Sequence, residues 1–246
     1  QPGIRLMSFE LPDVMYNNYP GPRFGRTGIR ELCGVESGPV LMSAIKPLGT
    51  PTADFARMVY ELALGGCPLI KDDHSLLNQK PAPFEERVKA CVDAVEAANA
   101  KTGGKSQFIA NCTADGLQFL ERAFKAKELG AGGIMAAPGL LGFSMIRELS
   151  KDLEFGLPIY LHPCFSGSLV LKDDCGISPF CYYGQISRLA GADAVIFTSF
   201  GGRFPFSQEV CQNICNGTET RMADLKSIFP VPVSYTHLTL PTTPYV

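Results

Sequence analysis

The chain has 246 residues, enough for one large domain with a short extension. It is 46% hydrophobic and 19% charged with a formal net charge of -2, the composition of an ordinary globular protein. No basic run and no apolar stretch of roughly 18 residues occurs, so neither a nucleic-acid or membrane-surface partner nor a membrane-spanning helix is expected.

The start, Gln1-Pro2-Gly3, has neither an initiator methionine nor a signal-peptide pattern, as expected of a chain that begins inside a gene product. Residues 4–12 read as a short strand, followed by a loop rich in Pro, Asn, Gly and Arg up to residue 28. Residues 1–30 are expected to be the end of an N-terminal domain with its linker, and 27–33 a short helix. A regular alternation then begins. Apolar runs at 40–46, 67–73, 107–112, 133–137, 158–162 and 194–199 are separated by amphipathic segments at 53–64, 83–102, 114–129, 144–155 and 179–190. A last helix at 208–215 and a further run from 227 close the pattern. Alternating runs and helices predict βα units and a parallel sheet. There are too many units for half of a doubly wound fold, and no Gly-x-Gly-x-x-Gly follows the first run. The expectation is an α/β protein: a (β/α)8 TIM barrel over 31–232, truncated after about the seventh strand. Residues 233–246, rich in Thr and Pro, break the pattern and read as a non-native tail.

The nine cysteines include no Cys-x-x-Cys pair, and several lie in apolar runs. Reduced thiols in a cytoplasmic protein are expected rather than disulfides or zinc.

Polar residues gather at the C-terminal ends of the runs, where barrel enzymes place their chemistry. Ile70-Lys71-Asp72-Asp73-His74 puts four consecutive ionisable groups after a buried run. Such a cluster is costly unless it is paired or binds something. Strand alternation points Lys71 and Asp73 the same way, as an ion pair or as part of a divalent-cation site. His74 is a third ligand, an acid/base group or a surface residue, and as a ligand it shifts preference from Mg²⁺ toward transition metals. Lys46 is either a lysine snorkelling to solvent or a base with a lowered pKa. Asn111 and Thr113 suit a substrate hydroxyl, and Thr113 can also cap the helix that follows. His162 reads as an acid/base or hydrogen-bonding residue. Ser199, Gly201 and Gly202 with Arg203 read as a substrate-binding loop that closes on an anion, or as a flexible turn.

The motifs Ala44-Ile45-Lys46-Pro47-Leu48-Gly49, Ile70-Lys71-Asp72-Asp73, Asn111-Cys112-Thr113, Leu161-His162-Pro163 and Gly201-Gly202-Arg203 occur in that order. In this set and order the sequence resembles the RuBisCO large-subunit family over most of residues 4–232, and most closely its non-carboxylating RuBisCO-like (type IV) members. The resemblance implies that Lys71 is carbamylated by CO₂, and that its carbamate and Asp73 hold Mg²⁺. It implies proton transfer by Lys46, a matching fifth-strand His162, and Arg203 in the position of a mobile-loop lysine. It also implies a homodimer acting on a phosphorylated small molecule. Several positions differ. A second lysine after the proline is replaced by Leu48, a ligating glutamate by His74, a phosphate-contacting arginine by Pro163, and a sixth-strand histidine by an apolar residue within 195–197. The implied activity is therefore metal-assisted enolisation or isomerisation of a phosphorylated ketose, as in methylthio-sugar phosphate salvage. The alternatives are a ribulose-bisphosphate carboxylase, a decarboxylase of a phosphorylated keto acid, and an inactive binding or regulatory barrel. The isolated fragment is expected to be inactive.

Overall fold

The computed structural model of the protein describes residues 3–201 and 206–233. It begins with β1 (Arg5–Leu6), a single turn α1 (Asp13–Tyr16) and α2 (Gly25–Cys33). The alternating part follows as β2 (Met42–Ile45), α3 (Thr52–Leu64), β3 (Leu69–Asp72), α4 (Phe84–Thr102), β4 (Gln107–Asn111) and α5 (Leu117–Glu128). It continues as β5 (Gly133–Ala136), α6 (Pro138–Leu141), α7 (Phe143–Lys151), β6 (Ile159–Leu161), α8 (Gly167–Val170) and β7 (Gly176–Ile177). A π-helical stretch, Phe180–Ile186, runs into α9 (Ser187–Leu189) and precedes β8 (Ala194–Thr198), α10 (Gln208–Glu219) and β9 (Phe229–Val233).

These strands form a seven-stranded parallel sheet in the order β2-β3-β4-β5-β6-β8-β9, each following its neighbour in sequence apart from the inserted β7. The parallel α/β architecture read from the apolar runs is thus observed. The strand read at 4–12 is reduced to Arg5–Leu6, which pairs with Gly176–Ile177 in a separate two-stranded sheet. The helix read at 114–129 starts at Leu117, and the one read at 144–155 ends at Lys151. Half of the helix read at 179–190 is π-helical, and there Gly184 packs so closely on Gly217 that a Cβ would sit 2.4 Å from a backbone carbon.

Alternation along each strand divides the core in two. Ile45, Ile70, Phe108, Ala110, Ile134, Leu161 and Val195 pack against the helices with Phe55, Val59, Val88, Phe119 and Ile146. Leu69, Ile109, Met135, Tyr160, Ala194 and Ile196 face the other way and pack with Ile29 and Cys33 of α2. Each large apolar side chain so buried contributes about 1.5–3 kcal/mol. The second face fixes the site. Lys71, Asn111, His162 and Thr198 each lie two residues beyond a member of that smaller cluster, so all four belong to its face.

Asp193 ties α2 to this sheet. One oxygen accepts from the backbone N–H groups of Phe24 (2.7 Å) and Gly25 (2.8 Å), the other from that of Ile159 (3.0 Å). Burial raises its carboxyl to about 6 against those hydrogen bonds. Asp193→Ala leaves three backbone donors, two of them in buried hydrogen bonds, without their acceptor and is expected to destabilise the fold by roughly 2–4 kcal/mol in urea denaturation.

Candidate active site

The site lies at the C-terminal ends of β2, β3, β4 and β6, which are brought level by pairing of Ile45 with Asp72, Lys71 with Ile109, Asn111 with Met135 and, through β5, Ala136 with Leu161. Asp73 is its centre. Its Oδ2 lies 3.2 Å from the Lys46 Nζ, and its Oδ1 lies 3.2 Å from the His74 Nδ1. Oδ1 also accepts from the Ser75 hydroxyl at 2.6 Å and the Ser75 amide at 3.1 Å. Burial alone would raise this carboxyl; the hydrogen bonds from Ser75, the His74 charge and Lys46 outweigh it and hold Asp73 well below the usual carboxylate range.

Lys71 is only 6% exposed. Of the two alternatives for Lys71 and Asp73, the direct ion pair does not form. Asp73 pairs with Lys46 and His74, while the Lys71 Nζ donates to the backbone carbonyl of Asp72 at 3.0 Å. Desolvation pulls the Lys71 ammonium down to about 8, against the attraction of Asp73 and Asp72. Near neutral pH a fraction of the amine is therefore unprotonated, the form that reacts with CO₂.

His162 stacks face to face on His74, with ring centroids 4.5 Å apart and planes 10° from parallel. Desolvation, then the nearby Lys71 charge, pulls its imidazolium down to about 3. The ring is thus neutral at physiological pH.

Asn111 has a different environment from a residue awaiting substrate. It is fully buried, and its side-chain amide donates to the carbonyls of Asp73 (3.3 Å), His74 (2.8 Å) and Leu76 (3.2 Å). Its carbonyl oxygen accepts from the Thr113 amide at 3.2 Å. Thr113 does not cap α5, because its hydroxyl accepts from the Ala137 amide at 3.1 Å. Ser199 stands one residue past the strand position that faces the site, and its hydroxyl donates to the Phe200 carbonyl at 3.4 Å. Gly201 takes a left-handed φ of 73°. Gly202 and Arg203 lie outside the described residues.

The sequence reading missed Arg87. It is fully buried on α4 and forks onto Asp72, with Nε 3.0 Å from Oδ1 and Nη2 3.2 Å from Oδ2. It also donates to the carbonyls of Ala82, Leu76 and Leu77. The Asn111 backbone amide completes Asp72 at 2.9 Å. Asp72 therefore points away from the site, and the loop bearing Asp73 and His74 is strapped from α4 and β4 together. A cleft of about 1060 Å³ lined by Arg30, Gly66, Lys105 and Ser106 opens at the opposite end of the strands and includes none of these residues.

This donor set on its own offers a divalent cation too few ligands. Among the described residues no three His, Cys, Asp or Glu side chains gather to hold one. Asp73 and His74 give two, and a carbamate on Lys71 would add the oxygens that a hard cation requires. The buried Lys71 amine, hydrogen-bonded to a carbonyl and with its ammonium weakened, is suited to that modification. The residues fit the group in that form.

A seven-stranded parallel α/β sheet with its ionisable residues gathered at the C-terminal ends of its strands is the arrangement that barrel enzymes use for their chemistry. Residues 27–223 match the family model for the ribulose bisphosphate carboxylase large chain, catalytic domain, and the chain belongs to that family. It is 35% identical over 237 residues to the 2,3-diketo-5-methylthiopentyl-1-phosphate enolase of Geobacillus thermodenitrificans, covering 95% of this chain and 57% of that protein. It is 32% identical over 228 residues to the 5-methylthioribulose-1-phosphate isomerase of Rhodospirillum rubrum, covering 92% and 59%. The fold superposes on a rubisco-like protein from Alicyclobacillus acidocaldarius with a TM-score of 0.87 at 30% identity, over 94% of this chain and 58% of that one. The chain thus spans less than two thirds of the length of these relatives.

Proposed function

We propose that this chain forms most of the catalytic barrel of a RuBisCO-like enzyme that enolises or isomerises a phosphorylated ketose-type substrate bearing a methylthio group. The observation that carries this is a buried, weakened Lys71 amine two residues before the Asp73 carboxylate, itself held by Lys46 and His74, at the C-terminal end of β3. The names and activities of the relatives point the same way.

In this reading Lys71, as its carbamate, and Asp73 would hold Mg²⁺, with His74 beside them as a third ligand or as an acid/base group. When bound, the cation supplies Lewis-acid polarisation of the substrate oxygens. The other steps belong to the chain. Lys46, half-exposed and 3.2 Å from Asp73, moves the proton at the carbon next to the carbonyl. His162 engages a substrate oxygen, and Arg203 with Gly201 and Gly202 grips the phosphate. Asn111 holds the loop of Asp73 and His74 in place, and Thr113 ties β4 to the chain after β5. The resemblance further implies a complete (β/α)8 barrel, an N-terminal domain of which residues 1–30 are the end, and a homodimer. A cytoplasmic enzyme is consistent with nine free cysteines. Among the described residues no helix is long and apolar enough to cross a membrane.

The test is incubation of the protein containing this sequence with 2,3-diketo-5-methylthiopentyl-1-phosphate and with 5-methylthioribulose-1-phosphate, followed by ³¹P NMR. Conversion of either is expected. Tight binding of both without conversion would favour a binding barrel instead. Incorporation of ¹⁴CO₂ into ribulose bisphosphate would favour a carboxylase.

A further inference from the structure

The Nδ1 of His162 accepts a hydrogen bond from the backbone N–H of Cys164 at 3.2 Å. A backbone amide only donates, so Nδ1 must carry a lone pair. The ring proton is then on Nε2, since a proton on Nδ1 would set two N–H groups against each other. The loop that supplies this amide is held on several sides. The Ser166 hydroxyl lies 2.6 Å from the Pro163 carbonyl and 2.8 Å from the Tyr183 hydroxyl. Gly139 approaches the loop so closely that a Cβ would meet the Cys164 carbonyl oxygen at 2.4 Å. Phe165 is kept at a φ of 62°, a left-handed conformation that costs a residue other than glycine roughly 1–2 kcal/mol. The His74 ring, stacked at 4.5 Å, fixes the plane of the imidazole. Nδ1 adjoins Cγ and Nε2 lies on the far edge of the ring. With Nδ1 turned back onto its own loop, Nε2–H is the atom presented to the strand-end mouth.

We infer that His162 is a fixed-tautomer hydrogen-bond donor, which offers Nε2–H to the substrate oxygen that gains negative charge on enolisation, and that it is not the base. This rests on reading the mouth as an enolising site. The ring's proton is shared with that oxygen and need not leave the ring. The proton lost from carbon goes to another group, for which Lys46 is placed. Such a donor acts by preorganised polarisation of the developing oxyanion.

The test uses ¹⁵N-histidine. In the protein containing this sequence, which itself supplies three histidines, His162→Gln assigns the His162 signals. At pH 7 the spectrum is expected to show a lone-pair Nδ1 and a protonated Nε2. A protonated Nδ1 overturns the inference. This readout needs no turnover, so its failure is distinct from a failure of the enolase reading. A second arm compares two amides: His162→Gln places an N–H near the Nε2 position, whereas His162→Asn places it near Nδ1. The Gln variant is expected to keep kcat within roughly tenfold of the parent and the Asn variant to lose on the order of 10²-fold, with KM little changed. Equal losses in the two variants would overturn the donor role.

Discussion

Lys71→Met is expected to lower turnover on the order of 10³-fold and, in CO₂-free buffer at pH 7, to make the protein more stable than the parent. The activity loss follows because methionine cannot form the carbamate. The cation's polarisation is worth several kcal/mol, and each 1.36 kcal/mol is tenfold in rate. The stability gain follows from linkage. Burial lowers the Lys71 ammonium from the ordinary 10.5 to about 8 in the folded chain. Between those values the unfolded chain binds more protons than the folded one, so parental stability rises with pH there. Below about pH 8 the penalty of the buried charge is full, about 3 kcal/mol for a shift of this size. The advantage of the methionine variant should therefore be largest at pH 7 and shrink as pH climbs toward 10. Urea denaturation at the two pH values reads this directly. A variant less stable than the parent at pH 7, with a gap independent of pH, would show that Lys71 is not held as a weakened buried amine.

The second large effect concerns Arg87. Arg87→Leu leaves the fully buried Asp72 carboxylate without its guanidinium partner and is expected to cost about 3–5 kcal/mol. It also removes the donors to the Leu76 and Leu77 carbonyls, so the loop carrying Asp73 and His74 loosens. Asp72→Asn combined with Arg87→Leu should be clearly less destabilising than the sum of the two single changes, because neither charge is left buried alone. Strict additivity in urea denaturation would show that the pair does not act as a unit.

Much of the sheet was legible in the sequence. The runs at 67–73, 107–112 and 194–199 became β3, β4 and β8, because short, largely apolar runs set between amphipathic helices suit a strand buried on both faces. The shared face of Lys71 and Asp73 followed from alternation alone. Their partners did not follow, because alternation fixes a face and not a distance: Asp73 reaches Lys46, just past the end of the neighbouring strand. Asn111 was read as awaiting substrate because strand position cannot show that a side chain is already occupied by the next loop. Arg87 left a signal that could have been used. It lies four residues before Cys91 and eight before Val95, on the buried face of α4, where an arginine requires a buried acid. Asp72, on the opposite strand face from Lys71, is that acid. The His74–His162 stack has no counterpart in sequence spacing, since β3 and β6 are separated in the sheet by two strands.

The most direct measurement of the central claim is solvent deuterium exchange into the candidate ketose phosphates, with Mg²⁺ and bicarbonate present and then with either withheld. Exchange at the carbon beside the carbonyl is expected with both present, to fall when either is withheld, and to be lost in Lys71→Met. Absence of exchange from every candidate that the protein demonstrably binds would contradict an enolising site.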